Sequence, residues 1–196
     1  MGTVKTTAGK GALFALAIAV AALLLTGLTA CGGEAPEDII RKGVTEELES
    51  IKNLDQAALD EIVAGAASSG TDFEEYGISM DDFARTWLSG FDYTVDSVTV
   101  NGEDATATVT VTCKSLMEGV NIWLEKATEA ASDPAIASLP TDELNKKIGS
   151  LLLESIGAAP TETNTVDLPY VLNGNTWEPG PGFDTALSQA FAAGAI

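Results

Sequence analysis

Residues 91–114 read FDYTVDSVTVNGEDATATVTVTCK, and their period of two sets the architecture. Ala105, Ala107, Val109, Val111 and Cys113 alternate with Thr106, Thr108, Thr110, Thr112 and Lys114, the pattern of a strand with one buried and one solvated face. Ahead of it Phe91, Tyr93 and Val95 share a face, whereas Val98 and Val100 fall in the other phase, so a β-bulge is expected near Asp96-Ser97. Asn101-Gly102 is the turn between the two runs. This register puts Cys113 on the apolar side, where an unpaired cysteine acts as a small, inert hydrophobe.

Upstream the period lengthens to that of helices. Pro36 suits a first helical turn, and Ile40, Val44, Leu48 and Ile51 follow at spacings of four, four and three. Glu37 with Arg41 and Asp38 with Lys42 form i,i+4 pairs on the opposite, solvated face. Asp55 is placed to cap a second helix carrying Leu59, Ile62, Val63 and Ala66. Ser79-x-x-Asp82 resembles a capping box in front of Phe83, Trp87 and Leu88, with Gly90 as the stop.

Downstream of the hairpin, Leu116, Val120, Trp123, Leu124, Ala127 and Ala131 outline an amphipathic helix that ends at Ser132-Asp133-Pro134. Thr141 is read as the cap of a partner helix carrying Leu144, Ile148, Leu151, Leu152 and Ile156, with Asp142–Lys146 and Glu143–Lys147 pairs outside. Val166, Leu168, Tyr170 and Leu172 return to period two, and Asn173-Gly174-Asn175 turns the chain into Thr176-Trp177-Glu178. Pro169 cannot donate to a ladder, so this strand is expected at an edge or bulged. A small last helix carries Leu187 and Phe191. The expected class is α+β, with N-terminal helices packed on a curved antiparallel sheet and an inserted helix pair.

The N-terminal end supplies a location. Residues 1–30 have the build of an export signal: Lys5 and Lys10 with no acidic residue, an apolar run from Ala12 to Leu25, then Thr26-Gly27-Leu28-Thr29-Ala30. An uncleaved spanning helix over Gly11–Ala30 is the alternative, since that length is about enough to cross a hydrocarbon core. Leu28-Thr29-Ala30-Cys31 resembles a bacterial lipobox, which favours the signal. The resemblance to bacterial lipoproteins implies a diacylglyceryl thioether on Cys31 and cleavage between Ala30 and Cys31. Two acyl chains then hold the protein stably at the extracytoplasmic face of the cell membrane, whereas one fatty chain holds only marginally. The organisation expected is a signal over 1–30, a lipidated tether over 31–36 and a single α+β domain over 37–196.

Composition narrows the chemistry. Without residues 1–30 the chain has 166 residues, enough for one domain, and 8 basic against 29 acidic side chains. Nucleic acid and anionic lipid headgroups should be repelled. The 196 residues contain no histidine, which removes Ser-His-Asp and Cys-His catalysis and nearly all zinc chemistry. The acidic residues form no calcium-loop motif, so neither a metal nor a cofactor is expected. With Cys31 acylated, Cys113 has no disulfide partner.

Helices first, then the twisted hairpin with VNGEDATATVTV at its centre and a closing Asn-Gly-Asn-Thr-Trp unit, resemble small Gram-positive lipoproteins with a cystatin-like cone similar to nuclear transport factor 2. The resemblance spans about residues 37–185 and implies that the helix pair between Leu116 and Ile156 is an insertion in the cone. Two functions follow as expectations. One is a non-enzymatic module whose pocket, lined by Trp87, Tyr93, Trp123, Tyr170 and Trp177, binds a small apolar ligand or an envelope protein. The other is a carboxylate-based isomerase or dehydratase using Asp92, Asp96 or Asp167 beside Tyr93 or Tyr170. Exposure of the three aspartates favours binding, and a buried one facing a cavity favours the enzyme. A spacer in a surface assembly would instead expose an apolar patch of several hundred Å².

Overall fold

The computed structural model describes residues 28–29, 33–68 and 73–191, with the backbone alone for 28–29 and 65–68. Of the segment expected to be an export signal, residues 1–27 and Ala30 lie outside the described residues, as does Cys31, whereas Leu28–Thr29 pairs with Trp177 and Thr176.

A curved, unclosed antiparallel sheet carries the helices. Its strands are β1 (Leu28–Thr29), β2 (Asp92–Asn101), β3 (Asp104–Lys114), β4 (Thr161–Asn173) and β5 (Thr176–Pro179), in the order β1-β5-β4-β3-β2. β2 and β3 form the expected hairpin, and their register shifts between Val95 and Ser97, where the change of phase called for a bulge. Gly102 takes φ 68° in the two-residue connection, a conformation that lacks a steric penalty only in glycine. β4 and β5 form the second hairpin, closed by the Asn173–Thr176 pair.

One face of the sheet is covered. Helix α1 (Pro36–Lys52) packs across β2, and α7 (Phe183–Phe191) crosses β4 and β3. α2 (Gln56–Ser68) and α3 (Met80–Trp87) complete the layer. Ile40, Val44, Leu48 and Ile51 of α1 and Ala107, Val109, Val111 and Cys113 of β3 are buried, as their two periods require. An aromatic knot closes the centre: Phe191 stacks on Phe91 at 5.6 Å between ring centroids and meets Trp87 edge-on at 5.9 Å.

The connection from β3 to β4 holds α4 (Leu116–Ala131), a four-residue α5 (Pro134–Ala137) and α6 (Thr141–Ala158). α4 and α6 pack on each other, and α6 also lies against α3 and a 3₁₀ turn at Glu74–Tyr76. Close approach needs small residues. A Cβ on Gly119 would lie 2.5 Å from Cδ1 of Ile156, and one on Gly149 only 2.0 Å from the carbonyl oxygen of Tyr76.

Several local expectations are corrected. Thr141 is the first residue inside α6, and Pro140 precedes it with no side-chain cap. Asp133 does not simply end a helix, because its carboxylate caps α5 by accepting from the Ala135 amide at 2.8 Å. Leu124 is 47% exposed, since the α4 stripe facing α6 runs through Leu116, Gly119 and Trp123 and not through it. Arg41 leaves Glu37 and donates to the carbonyl of Val95 at the bulge, tying α1 to the sheet. The Ser79 cap is as expected: its hydroxyl oxygen accepts from the Asp82 amide at 3.0 Å.

Candidate interaction surface

Of the five aromatic side chains expected around one pocket, Trp87, Tyr170 and Trp177 belong to one hydrophobic core with Tyr93 packed against it, and Trp123 lies apart from it. Trp87, Tyr170 and Trp177 are buried core residues, which corrects their assignment to a pocket lining. The Trp87 indole donates to the carbonyl of Lys114 at 3.2 Å, and Tyr170 packs edge-on to Phe183 at 5.4 Å. Trp123 sits between α4 and α6, its indole donating to Ile148 at 3.3 Å. Tyr93, half-buried on β2, donates its hydroxyl to Glu49 at 2.9 Å, and the same oxygen lies 3.1 Å from the Thr45 carbonyl. Burial, then Glu49, pushes the Tyr93 phenol up to about 12, so it stays protonated. Helices α1 and α7 fill the covered face with side chains. Among the described residues no buried side-chain nitrogen or oxygen lacks a hydrogen-bond partner.

The three aspartates lie on the opposite, open face, and all are exposed. Lys52 reaches Asp92 at 2.8 Å and, with the Tyr93 amide, holds its carboxyl below the usual range. Asp96 accepts from the Thr110 hydroxyl at 2.6 Å, and Asp167 accepts from Thr108 at 2.8 Å.

These contacts belong to a larger array that the sequence showed only as alternation. Thr110 and Thr165 face each other across β3 and β4 with hydroxyls 2.8 Å apart, and Thr112 and Thr163 do the same at 2.8 Å. The open face therefore carries a ladder of cross-strand rows, Asp96–Thr110–Thr165, Thr112–Thr163 and Thr108–Asp167, each internally bonded. The Thr106–Thr112 run supplied the β3 half. The β4 half falls in Thr-Glu-Thr-Asn-Thr at 161–165, which has no apolar alternation and so gave no strand signal.

Burial and, secondarily, Glu162 push the Cys113 thiol up to about 12, so it is not a nucleophile in the folded state. Among the described residues no three His, Cys, Asp or Glu side chains converge as metal ligands. No helix among them is long and apolar enough to cross a membrane. Leu124, Glu125, Thr128, Glu129 and Ser132 line a shallow, open hollow on the outside of α4. Leu124 is the exposed large apolar side chain among the described residues, short of the patch expected of a spacer. Comparison with protein-family models, with curated proteins and with solved structures finds no match to this chain.

Proposed function

We propose that this chain is an extracytoplasmic lipoprotein, acylated on Cys31 and held at the cell membrane, whose domain binds a partner without catalysing a reaction. The observation that carries the reading is Leu28-Thr29-Ala30-Cys31 directly after an apolar run with basic residues ahead of it. Thioether formation needs the thiol, and small Thr29 and Ala30 suit a peptidase that must reach the adjacent bond. Exposure of Asp92, Asp96 and Asp167 supports binding over acid–base catalysis. A general acid needs a carboxyl kept protonated by burial, and Asp92 is pushed the other way by Lys52.

The test is metabolic labelling with an alkyne fatty acid, followed by intact-mass measurement of the native chain and of Cys31→Ala. Label on the native chain, mass matching loss of residues 1–30, and neither change in the variant are expected. A native chain that keeps residues 1–30 and carries no label overturns the proposal.

A further inference from the structure

The two sides of the sheet treat their edges differently. At β2 the edge is blunted by the bulge between Val95 and Ser97 and by Arg41, which occupies the Val95 carbonyl. On the other side β5 covers only Tyr170–Asn173 of β4, leaving Thr161–Leu168 beyond its reach. The direction of the backbone groups in that stretch follows from two bonds. The Leu172 amide donates to Glu103 on the β3 side, and the Pro169 carbonyl accepts from Gly180 on the β5 side. The β3–β4 register runs without a shift, so even-numbered residues bond to β3 and odd-numbered ones point outward. Among the described residues no strand pairs with this stretch, so Thr161, Thr163, Thr165 and Asp167 present their amides and carbonyls along the edge, with no proline, lysine or bulge among them.

Charge indicates what would lie there. After Lys147 the sequence has no basic residue, whereas Glu162, Asp167, Glu178 and Asp184 are acidic; Glu154 is paired with Lys126. Lys114, opposite Thr161, is engaged by the carbonyls of Gly157 and Ala159. A second copy of this chain, with the same formal charge of −19, would meet that field with more negative charge. A basic strand would complement it.

We infer that the outer edge of β4 from Thr161 to Asp167 is a strand-addition site for an extended, lysine- or arginine-bearing peptide segment of a partner protein. The ladder supplies main-chain bonds at the four outward residues. A cation on the open-face side of the added strand meets Asp167, and an apolar residue on the other side meets half-buried Val166. The inference rests on the reading of the domain as a binding module, not on acylation, so Cys31→Ala keeps the interaction even where labelling fails.

The probe is a blocked eight-residue peptide of alternating Lys and Val, titrated against the full-length chain in non-ionic detergent. Thr165→Pro removes an outward amide and the hydroxyl bond to Thr110, and leaves the backbone ladder to β3 intact, as Pro169 does already. We expect salt-sensitive binding, slowed amide exchange at Thr163, Thr165 and Asp167, at least tenfold weaker binding by Thr165→Pro, and weaker binding by Asp167→Asn. Should Thr165→Pro misfold, a probe N-methylated at alternate residues tests the same bonds on the unaltered chain and should lose at least tenfold. Equal affinity of the N-methylated probe, protection elsewhere, or sedimentation showing a dimer that already protects these amides overturns the inference.

Discussion

Gly149→Ala should destabilise the protein, although alanine is the better helix former. A Cβ at this position would lie 2.0 Å from the Tyr76 carbonyl oxygen and 3.0 Å from its carbon, where an ordinary contact needs about 3.5 Å. The obstacle is main chain, so relief requires α6 and the Glu74–Tyr76 turn to part by more than 1 Å. Overpacking of this kind costs about 3 kcal/mol. The gain in helix propensity returns about 1 kcal/mol. The net loss of about 2 kcal/mol should lower Tm by about 4–8 °C in a domain of this size. Gly157→Ala in the same helix is the control. Its Cβ would meet only the Thr86 methyl at 3.5 Å, so the propensity gain stands and Tm should hold or rise. Thermal unfolding followed by circular dichroism measures both. If Gly149→Ala melts at or above the native temperature, the close crossing is not a constraint and the packing argument fails.

Phe191→Ala removes the ring shared by Phe91 and Trp87, and denaturant titration should show a loss of about 3–5 kcal/mol. Asp92, held low by Lys52, should titrate by NMR below a normal aspartate, and Lys52→Met should return it upward. Because the folded value is depressed, this pair stabilises above the unfolded aspartate pKa and fades as pH falls through the folded one. For Cys113 the sign is reversed. Its folded pKa is raised to about 12, so this contribution holds below the unfolded thiol pKa and is lost as pH climbs toward 12. A thiol reagent at neutral pH should label Cys113 only after denaturant is added.

The hairpin was legible because a one-sided sheet must alternate: every β3 residue from Ala105 to Lys114 takes the face its polarity assigns. The bulge was legible for the same reason, as a phase slip between the run Phe91, Tyr93, Val95 and the pair Val98, Val100. The helix stripe of α1 was equally plain, with Ile40, Val44, Leu48 and Ile51 all buried. β4 was read only from Val166, yet it begins at Thr161, because its first five residues are polar on both faces. There the strand is held by pairing with β3 and by Thr–Thr rows, which depend on residues about 50 positions away in sequence. On α4 the seam runs through Leu116 and Trp123 as expected, takes in Gly119 and leaves out Leu124. The partner of α4 is a single helix, which needs a narrow seam through Gly119 and Trp123.

Aromatic residues in the sequence do not mark a site, because composition records polarity and size without saying which side chains the core consumes. Large side chains from α1, α3 and α7 converge on the covered face, and Trp87, Trp177, Phe183 and Phe191 are consumed in filling it. What these buried side chains leave for recognition among the described residues is the exterior of the sheet. On that exterior the threonine rows are satisfied among themselves, so a ligand lying on the face must exchange one hydrogen bond for another with little net return. The outward amides and carbonyls of Thr161, Thr163, Thr165 and Asp167 have no strand partner among the described residues, so an added strand breaks no ladder bond there. Binding energy at the sheet should therefore concentrate along its edge and not on its face, which is why the edge variant Thr165→Pro is the sharper probe of what this domain holds.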